Sequence, residues 1–515
     1  ITASLLGTPK QAEATISIAP LSTIAGRLEF VSSDPAVIVT RGSGNGSNWV
    51  EESKVTFLVT DVNGRPIPGA DVSFELSTTR GGLSLDSVED VSDANGLVTT
   101  NVQAGNRATQ FSVLASIDAR GITTSSEQMA VSTGYAEQRG TSLILSGGGH
   151  VIENGFNQNG VERVFTVRLR DIFGSPIPAG TRASFDTEYG TIDPFCSVGL
   201  TNGARISGPA PAAGECSVLW TSSDPREPAD PGIVKLIRGD DRYDCGRQDT
   251  GPCSLDLGEG RGGRSTVSVS ADGEEWYNDA NRNRQYDEGE QFENLPEAFN
   301  DDNEDGVYTP EIGPECDNPP SSSRDCTVAG ENESFVDINK NGGYDTDDDP
   351  ALYNGSFCPP EGEGIFCSTA PVSVRAETVL ILSDASTWDS EMVNNSTGTV
   401  VDGTRLGQTF TIFVSDIHNN PPPEGSKLTV TALGDCDLIS QPSVTVPDKT
   451  TPGAVGIEVR AGGIGTSGQL AIDLVPSDGG ASYSDTYNCE VNEPPPPDPN
   501  APSAASSGGL SAGPG

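Results

Sequence analysis

Lys54-Val-Thr-Phe-Leu-Val-Thr60 runs directly into Asp61-Val-Asn-Gly64-Arg-Pro66-Ile-Pro68-Gly69, and beyond that turn Val72, Phe74 and Leu76 alternate with polar residues. A period of two puts one set of side chains on a buried face and the other in water, which is the signature of a half-buried strand. A second turn, Asp93-Ala-Asn95-Gly96, precedes residues 97–102, and Phe111, Val113, Ala115 and Ile117 alternate again as one further strand. Short strands at regular spacing, punctuated by Gly, Pro and Asn, predict an all-β protein built of antiparallel sandwiches.

The first turn recurs. Asp171-Ile-Phe-Gly174-Ser-Pro176-Ile-Pro178-Ala-Gly180 follows residues 164–170, and Asp416-Ile-His-Asn-Asn420-Pro-Pro-Pro-Glu-Gly425 follows residues 409–415. The order strand, D-x-x-G-x-P-x-x-G, strand, D-A-N-G, strand resembles the bacterial immunoglobulin-like domains of invasin- and intimin-type surface proteins. The first copy matches through Asp61, Gly64, Pro66, Pro68, Gly69 and residues 93–96. The second keeps the Pro-x-Pro turn but carries the Cys216 segment in place of D-A-N-G, and the third keeps least. The resemblance implies tandem immunoglobulin-like β-sandwiches over most of the chain, and it specifies fold far better than function.

Repeat spacing then divides the chain. Asp61 and Asp171 are 110 residues apart, whereas Asp171 and Asp416 are 245 apart, so the second unit carries the excess. The expected segments are 1–25 (a possible donor strand, with no partner evident), 26–135, 136–385, 386–490 and a Pro/Ser/Gly-rich tail at 491–515. The excess is placed in the last hairpin of the second unit, between strands 265–271 and 372–379, as an insertion over 272–370. A smaller insertion spans 222–263.

The larger insertion is phased as well as acidic. Between Asp272 and Asp349 there are 24 Asp and Glu against 4 Lys and Arg. Asp279, Asn281, Asn283, Asp287 and Glu290 stand at positions 1, 3, 5, 9 and 12 of a twelve-residue loop, with the Gln285 carbonyl at position 7. That spacing wraps hard oxygen ligands around one calcium ion. It recurs at Asp301, Asn303, Asp305, Val307 (carbonyl) and Thr309, with Ile312 at position 12 and Glu311 beside it. It recurs again at Asp337, Asn339, Asn341, Gly343 (carbonyl), Asp345 and Asp348. Gly306 and Gly342 occupy the sharply turned position 6, where the first loop has Arg284, and Tyr286, Tyr308 and Tyr344 all fall at position 8. An aromatic precedes each loop: Trp276, Phe299 and Phe335. The loops resemble EF-hand and dockerin-type calcium loops without long flanking helices, and about three Ca2+ ions are expected, ordering the insertion as a lobe that projects from the second unit.

Ten cysteines sort into near neighbours, Cys196/Cys216, Cys245/Cys253, Cys316/Cys326 and Cys358/Cys367, with Cys436/Cys489 spanning the last unit. No C-x2-C pair suits zinc, so disulfides in an oxidising compartment are expected. A net charge of −44 disfavours nucleic acid and favours cations. No apolar run is long enough for a transmembrane helix. The chain opens at Ile1 without a charged-then-apolar leader, which reads as mature protein with its signal peptide removed. His150 and His418 lack a nucleophile motif nearby, so no enzyme is expected. The sequence therefore predicts an extracellular, calcium-binding structural or adhesive protein of a bacterial surface or matrix, with the subunit of a fibre among its expected forms. Its expected partners are further copies, other surface or matrix proteins, or glycans. The competing expectation is a calcium-dependent carbohydrate-binding or glycan-processing module, which a cluster of exposed aromatics would favour.

Overall fold

The computed structural model describes residues 2–4, 11–13, 24–43, 49–152, 155–199, 206, 211–224, 263–302, 306–308, 333–346, 352–383, 388–416, 420–450, 455–477 and 481–492. Among them there are strands and four short 3-10 turns and no α-helix. The protein is all-β, a series of immunoglobulin-like sandwiches. Near the start, Thr2–Ser4 pairs antiparallel with Gln11–Glu13, so that segment supplies its own strand partner.

In the first sandwich Glu52–Thr60 pairs antiparallel with both Arg27–Asp34 and Leu97–Gln103, and Asp71–Leu76 lies in the opposing sheet beside Val113–Ile117. The buried halves of the alternating strands meet: Val55, Phe57, Val59, Val98 and Val102 from one sheet and Val72, Phe74, Val113 and Ala115 from the other. One expectation fails here. Residues 111–117 are not one strand: Thr109–Phe111 pairs with Met129–Ser132 in a small third sheet, and Val113–Ile117 crosses to another. The chain breaks at Ser112, whose N–H donates to Ser77 Oγ (2.8 Å) and whose carbonyl accepts from Ser77 N (2.9 Å). Alternation persists through the break because both halves still face one core.

The Asp turns share one mechanism. Asp61 Oδ1 accepts from the backbone of Asn63 (2.8 Å) and Arg65 (2.9 Å), and Asp171 Oδ1 accepts from Phe173 (3.0 Å) and Ser175 (2.8 Å). Asp416 Oδ1 accepts from Asn420 N at 2.8 Å. A short carboxylate thus satisfies the turn's N–H groups. The second unit also keeps the glycine that its lost D-A-N-G turn concealed. A Cβ on Gly96 would meet the Val59 carbonyl oxygen at 2.5 Å, and one on Gly214 the Leu169 carbonyl oxygen at 2.7 Å, both at positive φ.

In the second sandwich Arg264–Glu274 pairs with Val372–Leu382 over ten residues, from Arg264↔Ile381 to Gly273↔Val372. The chain between these neighbouring strands is the acidic connection. Where it is described, it does not project. Thr266 Oγ1 donates to the Asp301 carbonyl (3.1 Å), Arg375 Nη1 donates to the Phe299 carbonyl (2.7 Å), and Ser334 Oγ donates to Asp186 Oδ2 (3.3 Å). The described part of the connection therefore lies back over the outer face of the sheet, where it covers Thr266. Its own small core is Tyr277, Tyr286, Tyr353, Cys358 and Cys367, with Ile172 from the Asp171 turn packed against it.

Disulfides join Cys196–Cys216, Cys358–Cys367 and Cys436–Cys489. The first ties the two sheets of the second sandwich together. Cys245, Cys253, Cys316 and Cys326 lie outside the described residues. The third sandwich sets the sheet containing Asp389–Asn394, Phe410–Ser415 and Val455–Val459 against one containing Lys427–Leu438, Ala461–Val475 and Tyr483–Cys489.

Candidate metal centre

The loop that starts at Asp279 is organised by its first residue. Asp279 Oδ1 accepts from Asn283 N and Oδ2 from Arg284 N, both at 3.0 Å. Asn281 Oδ1 accepts from Asn283 N (2.8 Å) and Asn283 Oδ1 from Gln285 N (2.8 Å), so each oxygen side chain turns inward over the next residues. Three ends then converge: Asn281 Nδ2 and Asn283 Nδ2 lie 2.6 and 2.7 Å from Asp287 Oδ2. Glu290 closes the loop, taking Ala280 N on Oε1 (2.9 Å) and Asp287 N on Oε2 (3.2 Å).

The loop at Asp337 repeats this contact by contact. Asp337 accepts from Asn341 N (3.0 Å) and Gly342 N (2.9 Å). Asn341 N also donates to Asn339 Oδ1 (2.9 Å) and Gly343 N to Asn341 Oδ1 (2.7 Å). Asn339 Nδ2 and Asn341 Nδ2 lie 2.6 and 2.7 Å from Asp345 Oδ2. In the Asp301 loop the described part keeps the same first contact, Gly306 N to Asp301 Oδ2 at 2.7 Å, and Val307 is exposed. Asn303, Asp305, Thr309, Glu311 and Asp348 lie outside the described residues.

Position 6 requires the left-handed backbone in all three loops: φ is 82° at Gly306 and at Gly342, and 66° at Arg284. Arg284 accepts the conformation that glycine takes at little steric cost. Its guanidinium lies 5.5 Å from the Phe173 ring centroid.

The aromatics before the loops do not align as the sequence suggested. Tyr277, not Trp276, is the counterpart of Phe299 and Phe335, since Tyr277 bridges antiparallel to Phe292 as Phe299 does to Phe335. Trp276 instead lies under the Arg139 guanidinium at 4.4 Å. The position-8 tyrosines stack: Tyr308 on Tyr344 at 4.0 Å, and Tyr286 on Tyr353 at 4.5 Å. Burial pushes the hydroxyls of Tyr286, Tyr308 and Tyr344 upward.

Two groups of carboxylates escaped the ligand spacing. Glu297 reaches past the loop beside it in sequence and accepts from Ile338 N on Oε1 (2.9 Å) and Asp345 N on Oε2 (3.2 Å). Burial raises its carboxyl, opposed by those two N–H groups. Glu275, fully buried, accepts from Leu295 N (2.9 Å) and Asn354 N (2.7 Å). Glu274, also fully buried, accepts from Thr133 Oγ1 (2.8 Å) and from Ser356 N (3.1 Å), and burial pushes it up to about 7. The recurring Glu two residues before an aromatic was the available signal.

Every side chain converging in these loops offers oxygen from a carboxylate or an amide, and none offers nitrogen from His or sulfur. That donor set suits a hard cation such as calcium and not zinc. Among the described residues no group of three or more His, Cys, Asp or Glu side chains forms a cage, and the loops combine carboxylates with amides instead.

No protein-family model and no curated protein matches the chain. Among solved structures it is similar to the D0–D1 domain of intimin, at 13% identity and a TM-score of 0.20, over 48% of this chain and 90% of that one. It is similar to the Escherichia coli adhesin FdeC at 11% identity and a TM-score of 0.22, over 92% of this chain and 99% of that one. It is also similar to trypsin-activated α-2-macroglobulin of Escherichia coli, at 10% identity and a TM-score of 0.22, over 93% of this chain but 24% of that one. At such values a likeness says nothing about activity.

Proposed function

We propose that the chain is an extracellular, calcium-binding structural or adhesive protein of a bacterial surface or matrix, in which about three ions order the connection between two strands of the second sandwich. The observation that carries this reading is the convergence of Asn281 and Asn283 on Asp287, repeated by Asn339 and Asn341 on Asp345 at the same distances. Carboxylate and amide groups brought together by a turned backbone, in a segment with 24 acids, suit a hard cation. An amide presents its oxygen as readily as its nitrogen after a half-turn of the group. Asp279, Asn281, Asn283, Asp287 and Glu290 would hold one ion, with counterparts in the other two loops. The ions would supply the positive charge that lets the acids lie close together.

The glycan reading has a weaker footing. A cavity of about 710 Å³ is lined by Phe299, Tyr308, Phe335, Tyr344 and Arg375. Its rings are spent largely on one another, and the Arg375 guanidinium already covers Phe299 at 3.7 Å. Phe173 and Phe195, the exposed large aromatics among the described residues, each face an arginine and form no cluster.

Titration calorimetry of the full chain with calcium tests the first reading, with saturable binding of about three ions expected. Absence of binding overturns it. Glycan-array binding that calcium chelation abolishes would favour the second.

A further inference from the structure

The connection contains four copies of a pattern that ligand spacing does not expose: Glu275-Trp-Tyr277, Glu290-Gln-Phe292, Glu297-Ala-Phe299 and Glu333-Ser-Phe335. The aromatics pair by antiparallel bridges, Tyr277 with Phe292 and Phe299 with Phe335. Flanking backbone bonds extend each bridge: Asn278 N to the Gln291 carbonyl, Asn300 N to the Ser334 carbonyl and Val336 N to the Ala298 carbonyl, at 2.7–2.8 Å. In an antiparallel pair, the residue two before one partner stands opposite the residue two after the other. Each Glu is therefore delivered to the first position of the loop across the bridge, not to the loop beside it in sequence.

The contacts obey this geometry. Glu290, two before Phe292, meets the loop after Tyr277 through Ala280 N and Asp287 N (2.9 and 3.2 Å). Glu297, two before Phe299, meets the loop after Phe335 through Ile338 N and Asp345 N at the same two distances. Glu275, two before Tyr277, meets the segment after Phe292 through Leu295 N (2.9 Å), and its other oxygen takes Asn354 N (2.7 Å). In each case one donor lies three residues after the bridging aromatic and the other directly follows a stacked tyrosine: Tyr286, Tyr344 or Tyr353. Leu295 and Asn354 thus stand to Glu275 as Ala280 and Asp287 stand to Glu290.

We propose that Glu297 is the closing carboxylate of the 337–345 loop, delivered to it across the bridge between Phe299 and Phe335, so that this loop takes its ion with a cross-bridged ligand. This rests on the calcium reading above. In a twelve-residue loop the last position supplies the carboxylate that grips the ion with both oxygens, and Glu290 stands at that position of its own loop. Glu297 stands to Asp337 and Asp345 as Glu290 stands to Asp279 and Asp287. Burial to 6% exposure places the Glu297 carboxylate where negative charge is costly to leave uncompensated. Asp348, one methylene shorter, would be unnecessary.

Native mass spectrometry of the full chain, titrated with calcium, tests the assignment by counting ions. Glu297→Gln is expected to lose one of three ions, with its affinity falling about 10-fold or more, the scale on which support of a metal site is lost. Asp348→Asn should keep all three. Combining Glu297→Gln with Asp337→Asn should remove no more ions than Asp337→Asn alone, because both act on one site. If Asp348→Asn loses an ion and Glu297→Gln keeps three, the cross-bridged assignment is wrong while the calcium reading survives; a wild type that binds no calcium overturns that reading instead. Should Glu297→Gln fail to fold, Glu297→Asp keeps the charge, shortens the reach and gives the same comparison.

Discussion

The first sandwich and the 275–371 connection are held in shape by different physics. The sandwich closes on some twenty buried apolar side chains, with Phe57 at its centre and the rings of Phe30 and Phe74 at 5.8 and 5.9 Å. The connection buries five residues as its own core, three of them tyrosines, and beside them Glu274, Glu275, Glu297 and Glu333. Apolar burial is indifferent to ions and protons, whereas a framework of buried carboxylates answers to both. If the calcium proposal holds, one chain joins a part ordered by apolar burial to a part whose order would depend on ions and protons.

The strongest attempt to separate the two parts is chelation. Without calcium, the 24 acids between Asp272 and Asp349 repel with only 4 bases to offset them. Limited proteolysis in chelator should therefore cut between Trp276 and Pro350 while residues 26–135 stay intact. Equal resistance of both parts would erase the distinction.

The reverse attempt removes apolar packing. Phe57 is fully buried, so Phe57→Ala should destabilise the first sandwich by about 3–5 kcal/mol. Denaturant unfolding should give the same loss with calcium or with chelator. A calcium-dependent loss would mean the two parts are coupled.

Protons should act on the junction next. Glu274 joins Thr133, at the end of the first sandwich, to Ser356 in the connection, and burial raises its carboxyl from 4.5 to about 7. A raised carboxyl contributes stability that is complete below about pH 4.5 and lost as pH rises through about 7. A shift of that size corresponds to on the order of 3 kcal/mol. Melting of calcium-saturated protein should therefore weaken between pH 5 and 8, and Glu274→Gln should flatten that slope. An unchanged slope would show that Glu274 is not the responsible group.

The smallest expected effect comes from the Cys358–Cys367 bridge, which spans 9 residues. Replacing both cysteines with alanine should cost about 2–3 kcal/mol by loop-closure entropy. Thermal melting should show the loss in the connection alone.

Much of this architecture was legible because it is local. The Asp turn is read from four or five consecutive residues, since Asp61, Asp171 and Asp416 each cap N–H groups two to four positions ahead. The inward turn of Asn281, Asn283, Asn339 and Asn341 is equally local. Gly214 was hidden because its neighbours no longer spelled the motif, although the Leu169 carbonyl still leaves no room for a Cβ. The split at Ser112 was hidden because both resulting strands keep the same alternation.

What the sequence by itself determined is periodicity, turn chemistry and the spacing of oxygen side chains, all settled over a few residues by backbone sterics and hydrogen bonding. What only the tertiary structure decided is which distant segments stand opposite one another. The bridge between Phe299 and Phe335 sends Glu297 to a loop about forty residues onward, and Asn354 returns to pair with Glu275, some eighty residues back. The connection folds onto the sheet because Thr266, Arg375 and Asp186 meet its backbone and side chains there. Such pairings depend on the path of the whole chain, and no short window of residues records that path.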